Sequence, residues 1–136
     1  FGAQVLVTRG LTAKGSYDIA ISANETVGKA RYAGSVTVAN FSRAIYRTYT
    51  QNSRGIPGTA ETGDSFGSGI GILRTSPKTD TLLIGAAGET VGTAWGVGYV
   101  IRSDGRKLSS TTWTAVARPA DPAGDHVSMW GSSFAG

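Results

Sequence analysis

Hydrophobic residues alternate with polar or small residues over short stretches of this chain, with the period of two that is typical of β-strands. In the first stretch, Val5 and Val7 alternate with Gln4, Leu6 and Thr8. Ile19 and Ile21 flank the small Ala20, which favours a strand buried on both faces. No stretch of useful length carries the apolar stripe of a helix. Eight strands are predicted, at residues 3–8, 17–23, 34–40, 44–50, 69–74, 81–86, 98–102 and 111–116.

The predicted strands fall into two groups of four that share sequence motifs. Phe1-Gly2 recurs 65 residues later as Phe66-Gly67, and a degraded copy follows 68 residues after that at Phe134. Inside the units, the segment 25–28 (Glu-Thr-Val-Gly) is repeated at 89–92. Several matching segments in one order over the whole chain indicate an internal repeat.

Four strands in about 65 residues, made twice in tandem, is the pattern of β-propeller blades. We therefore predict an all-β protein with two four-stranded antiparallel blades that form part of a multi-bladed β-propeller. The first blade is expected at 1–65 and the second at 66–133, with 134–136 beginning a third unit. The alternative is an eight-stranded, two-sheet sandwich, which gives no reason for the repeat.

Two blades are too few to close a ring, because propellers have about four to eight. Sheet faces and apolar surface between blades would stay uncovered, and surface of that kind drives association. The expected partners are further propeller blades, supplied by copies of the same chain or by fragments of a longer parent. Three copies would give a six-bladed ring with cyclic symmetry.

Composition and charge exclude several classes of site and partner. The 136 residues include no cysteine, which excludes disulfides and thiolate metal sites, and a single histidine argues against zinc. The 13 basic residues are scattered with no run of three, so no nucleic-acid partner is predicted. No apolar stretch reaches the ~18 residues of a membrane-spanning helix, so no membrane insertion is predicted.

The second unit resembles an FG-GAP repeat, the unit of integrin α-subunit propellers, in Phe66-Gly67 followed by the segments 82–87 and 98–101. The junction at 50–67 is similar to the inter-blade connection of secreted, integrin-like repeat proteins of actinobacteria. The resemblance implies a secreted or extracellular, non-catalytic module for ligand binding or adhesion, with no cofactor. The alternatives are a glycan-binding propeller lectin and a structural fragment of a larger secreted enzyme.

FG-GAP repeats often carry an Asp-rich calcium loop between their first two strands, and this chain departs from that pattern. The corresponding hairpins contain no carboxylate, and they carry Lys14 and Lys78. Calcium takes six to eight oxygen ligands, whereas Asp18 and Asp80 supply one carboxylate each at the ends of the loops. No metal site is predicted.

Exposed Tyr, Trp and Arg side chains are the usual contact residues at protein interfaces. The candidate ligand-binding residues on this basis are Arg31, Tyr32, Trp95, Trp113 and Trp130. Packing between blades is the alternative role for Trp113 and Trp130. The ligand of such a surface would be a protein or a glycan.

The segment 63–67 matches the G-x-S-x-G motif of a nucleophile elbow, with Ser65 as the serine. Asp121, Asp125 and His126 follow in the chain order of a hydrolase triad. An elbow needs a strand before the serine and a helix after it, whereas here a loop precedes and a predicted strand follows. We therefore predict no catalytic residues and no enzymatic activity.

The same segment has a structural explanation within the repeat. Asp64 and Ser65 are short polar residues that bond backbone groups at tight turns. The aromatic and glycine positions of the structural repeat are Phe1, Gly2, Phe66, Gly67 and Phe134. We expect the three phenylalanines to pack between blades.

Overall fold

The computed structural model describes residues 2–74, 76–91, 94–102 and 112–117. In this part of the chain, eight strands form two antiparallel sheets. The first sheet has the order β1-β2-β3-β4, with β1 at Val5–Arg9, β2 at Tyr17–Ala23, β3 at Ser35–Asn40 and β4 at Ile45–Tyr49. The second has the order β5-β6-β7-β8, with β5 at Phe66–Arg74, β6 at Asp80–Val91, β7 at Ala94–Arg102 and β8 at Thr112–Ala117.

The prediction of an all-β protein with antiparallel sheets is confirmed, and each predicted strand overlaps an observed one. Three strands of the second sheet are longer than predicted, because β5 begins at Phe66, β6 continues to Val91 and β7 begins at Ala94. The strand pairing shifts register between Phe66 and Gly69 and between Ala86 and Thr90. The residues added to β5 and β6 include Gly67, Ser68, Ala87 and Gly88, small residues that do not alternate in hydropathy and that accommodate bulges.

The connection from β3 to β4 is a short 3-10 helix at Phe41–Arg43. The Asn40 side chain caps it by accepting a hydrogen bond from the Arg43 N–H at 3.1 Å. No helix in the described part of the chain is long and apolar enough to cross a membrane.

The first two strands of each sheet pair in the same register over their central residues. In the first sheet, Val5 lies opposite Ile21 and Val7 lies opposite Ile19. The corresponding pairs of the second sheet are Ile70 with Ile84 and Ile72 with Leu82. The hairpins that follow also match, since Val27 pairs with Ala30 and Val91 pairs with Ala94. The sequence repeat is therefore also a repeat of strand pairing.

A hydrophobic core lies between the sheets and is built from one face of each. The first sheet contributes Ala20, Val36 and Val38, the second contributes Phe66, Ile70, Leu82, Ile84 and Ala86, and the loops add Leu11 and Ile56. Because alternate residues of a strand point to opposite faces, only one face of β2 is fully buried. The expectation that β2 is buried on both faces is wrong, since Ile19 and Ile21 on its other face are half-buried.

Candidate functional site

Two segments run side by side at one end of the sheets, where residues 24–34 join β2 to β3 and residues 60–65 lead into β5. Backbone N–H groups of the second segment donate to consecutive carbonyl oxygens of the first: Gly63 to Arg31 (2.9 Å), Ser65 to Tyr32 (3.0 Å) and Phe66 to Ala33 (2.7 Å). We call these two segments, with residues 88–91 and Ala94, the junction end. Three backbone hydrogen bonds therefore join the two loop segments, as in a pair of strands.

The backbone bonding leaves Arg31 and Tyr32 exposed at the junction end, with 60% of Tyr32 accessible to solvent. Tyr32 has a positive φ of 56°, a conformation that non-glycine residues rarely adopt. The Arg31 N–H also donates to the Thr62 hydroxyl at 3.2 Å. Both side chains therefore project from a fixed backbone.

A cleft of about 260 Å³ includes Ser65, whose N–H donates to the Tyr32 carbonyl, and is lined by Ala3, Ala23, Asn24, Ser65, Gly67 and Ser68. Its polar groups are one amide and two hydroxyls. The Ser65 hydroxyl donates to the Gly63 carbonyl at 3.2 Å, and the Ser68 hydroxyl accepts from the Ala87 N–H at 3.1 Å. Pockets that enclose a whole ligand usually measure about 300–1,000 Å³. This cleft therefore suits one protruding group of a larger ligand.

Searches of protein-family models, curated proteins and solved structures find no match for this chain. The resemblance to FG-GAP repeats therefore rests on the motifs named above.

Trp95 occupies in the second sheet the position that Arg31 occupies in the first. Each residue directly follows the alanine that closes the equivalent hairpin, Ala94 in one case and Ala30 in the other. Trp113 lies on β8 opposite Ile101, near the other end of that sheet. The backbone therefore places Trp95 but not Trp113 at the junction end. Trp130 lies outside the described residues.

The backbone at Ser65 has one feature of a nucleophile elbow, a positive φ of 56°. Its context differs from an elbow, because residues 60–65 form no strand and β5 follows directly. The Ser68 N–H donates to the Ser65 carbonyl at 2.7 Å, which closes a turn with Gly67 at φ 88°. This is the geometry of a type II turn, which favours glycine at its third position.

The turn explains the Phe-Gly pair in structural terms. Gly2 also has a positive φ, 76°, and Phe66 is 1% exposed in the core between the sheets. A Cβ atom at Gly67 would lie 2.8 Å from the Ser35 carbonyl oxygen, so only glycine fits. The roles predicted for Phe1, Phe134, Asp121, Asp125 and His126 concern positions outside the described residues.

Two buried carboxyl groups, Asp64 and Glu89, lie at the junction end and were given no binding role from the sequence. Glu89 accepts hydrogen bonds from the Gln51 amide and, at 3.0 Å, from the Thr90 N–H. Burial raises the pKa of the Glu89 carboxyl, and the negative charge of Asp64 raises it further. Burial likewise raises the pKa of Asp64. The hydrogen bond that Asp64 accepts from the Glu61 N–H offsets part of this rise, because it stabilises the charged form.

We expect Glu89→Gln to raise the melting temperature at pH 7 by about 2–5 °C. A carboxyl whose pKa is raised on folding stabilises the fold when protonated, below its unfolded pKa. That contribution is lost as the pH rises through the folded pKa. The gain should therefore shrink as the pH falls towards 4 in a thermal-melt series. Glu25→Gln is the matched control at the exposed copy of the motif, and an equal gain there would contradict this explanation.

The opposite end of the sheets holds the two aspartates that remain from the predicted hairpin loops. Asp18 and Asp80 are each 1% exposed. The donors to Asp18 are the Leu11 N–H (2.9 Å), the Thr12 N–H (3.1 Å) and hydroxyl, the Ser16 hydroxyl (3.0 Å) and the Asn40 amide (2.8 Å). Asp80 accepts from the Arg9 N–H of the other sheet at 2.8 Å and from Arg74 at 3.4 Å.

These donors belong to the protein, and they occupy the carboxylate oxygens that a cation would need. Within the described ranges, no cluster of three or more Asp, Glu, His or Cys side chains has an arrangement that could hold a metal ion. The absence of calcium binding stays a prediction. The structure assigns both aspartates to holding loops and sheets together.

Proposed function

We propose that this chain is a non-catalytic, extracellular β-propeller module of the FG-GAP type that binds a protein or glycan ligand and is completed by further blades. The observation that carries the proposal is the repeated four-stranded meander with matching strand register. Propellers are built by radial repetition of such sheets. Sandwiches commonly use Greek-key connections between their two sheets, whereas here each sheet is made of consecutive strands.

The packing of the two sheets supports the same proposal. The first strand of the second sheet, β5, contacts β1, β2 and β3 of the first sheet. One face of each sheet enters the shared core. Each sheet keeps one face outside this core. A further sheet can be added to either of these two faces without changing the existing contact, as ring formation requires.

The junction end is the proposed ligand surface. Functional residues are often carried on loops that a rigid scaffold positions. Arg31 and Tyr32 meet this description, since backbone hydrogen bonds fix their segment while both side chains stay exposed. The adjacent cleft offers amide and hydroxyl groups, which suit either a protruding peptide side chain or a sugar ring.

Binding should be measured with the labelled protein on a glycan array and on an array of extracellular-matrix proteins. For any ligand found, Arg31→Ala and Tyr32→Ala are expected to weaken binding by about tenfold or more, as truncation of contact residues does. Arg43→Ala is the matched control, because Arg43 is an exposed arginine at the opposite end. Failure to bind on both arrays, or binding unchanged by Arg31→Ala and Tyr32→Ala, would contradict the proposal.

A further inference from the structure

The side of the first sheet that points away from the core carries a group of exposed apolar side chains, and the Arg9 guanidinium lies over one of them, the Tyr17 ring. Val5 is 56% exposed, Val7 61%, Tyr17 66% and Tyr46 53%. We call this surface, together with the half-buried Ile19 and Ile21, the outer face. The Phe41 ring packs edge-on against Tyr46 with ring centres 5.8 Å apart, which extends the apolar area. Exposed apolar side chains grouped on one face of a sheet indicate an interaction site.

The strand register identifies what covers this kind of surface. The pairs Val5–Ile21 and Val7–Ile19 of the outer face are the repeat copies of Ile70–Ile84 and Ile72–Leu82. In the second sheet, Ile70, Leu82 and Ile84 are at most 5% exposed, because the first sheet covers them. The outer face is thus the copy of a surface that this chain already buries under a sheet.

The surface of the first sheet that covers them has a small residue, Ala20, on its second strand. That inner surface of the first sheet pairs Leu6 with Ala20. Its repeat copy is the pair Gly71–Leu83, on the side of the second sheet that points away from the core. We call that side the far face, and it also carries Leu73, which is 56% exposed. Its glycine at position 71 leaves room for the branched side chains of an outer face.

We propose that the outer face of one copy of this chain binds the far face of a second copy, head to tail. The contact would repeat the one between the two sheets within a chain. A contact between two different faces is heterologous, so repetition builds a closed ring or, without closure, a filament. The inference rests on the proposed propeller architecture and is independent of ligand binding.

Molar mass should be measured across a concentration series by light scattering and sedimentation. The wild-type chain is expected to form oligomers that grow with concentration. Val7→Lys and Leu73→Lys should each weaken association by about tenfold or more, because each buries a charge in one of the two faces. Both positions are more than half exposed, so both variants should fold, as circular dichroism can check.

Mixing the two variants separates this arrangement from a symmetric one. The Val7→Lys chain keeps an intact far face, and the Leu73→Lys chain keeps an intact outer face. The mixture should therefore form a 1:1 dimer that grows no further. Thr59→Lys is the control for adding a lysine at an exposed position elsewhere, and it should assemble as the wild type does.

Three results would overturn the inference. One is a wild-type chain that stays monomeric at all concentrations, another is an effect of Val7→Lys without one of Leu73→Lys, and the third is a mixture without dimer. If Val7→Lys fails to fold, Val5→Lys tests the same face at 56% exposure. A monomer that still binds ligand would contradict this inference alone. Assembly without ligand binding would contradict the proposed ligand function and leave this inference standing.

Discussion

Phe66→Ala is expected to lower the free energy of unfolding by about 3–5 kcal/mol, the usual cost of truncating a buried phenylalanine. Phe66 is 1% exposed and heads the largest fully buried side chains of the described residues. It lies in the core that joins the two sheets, so its loss leaves a cavity at their interface. Urea unfolding followed by circular dichroism measures the change through the shift in midpoint at constant slope.

Ser65→Ala is the matched control from the adjacent position. The Ser65 hydroxyl is partly exposed and donates one hydrogen bond, at 3.2 Å, to the Gly63 carbonyl. Surface changes of this size usually alter stability by less than about 0.5 kcal/mol. Equal midpoint shifts for Phe66→Ala and Ser65→Ala would contradict this prediction. They would show that Phe66-Gly67 stabilises the fold through the turn and not through the buried ring.

The strands could be predicted because their alternation of hydropathy is a local property. Val5 and Val7, or Ile70 and Ile72, mark one face of a strand whatever it packs against. The repeat then grouped the strands into two sheets with one order. The ends of β5 and β6 could not be predicted, because the small residues there carry no alternation and the pairing is bulged.

The candidate site could be predicted only where exposure follows from residue type, as at Arg31 and Tyr32. The repeat gives Glu25 and Glu89 the same motif, yet Glu25 is exposed and Glu89 is 8% exposed. Glu89 accepts a hydrogen bond from the buried Gln51, in the connection between the sheets, whereas the donor to Glu25 is Ser35 of its own sheet. Burial by a distant segment is a tertiary property, so no local pattern reports it.

Close backbone approach is a second property that the sequence pattern does not reveal. Gly34 has a φ of 83°, and a Cβ atom there would lie 2.2 Å from the Phe66 carbonyl oxygen. At the other end, a Cβ atom at Gly10 would lie 2.3 Å from the Lys78 carbonyl oxygen. The sheets therefore touch through glycine at both ends, which supports a fixed angle between them and a junction end of constant shape.

Asp18→Ala is expected to lower the free energy of unfolding by about 3 kcal/mol. A buried group left without its hydrogen-bond partner costs about 1–3 kcal/mol, and Asp18 accepts from two backbone N–H groups, two hydroxyls and the Asn40 amide. The residues that donate lie in the loop at 10–16 and at the end of β3. Removing the carboxylate therefore loosens the β1–β2 hairpin and the β3–β4 connection together, which chemical denaturation measures.

A double-mutant cycle with Asn40→Ala isolates one contact in this network. The two residues are joined by a hydrogen bond of 2.8 Å, so we expect a coupling energy of about 1 kcal/mol. Chelation with EDTA should leave the wild-type midpoint unchanged, because protein donors already occupy the carboxylate oxygens. A calcium-dependent midpoint that disappears in Asp18→Ala would instead make this hairpin a cation site and reverse the assignment of Asp18.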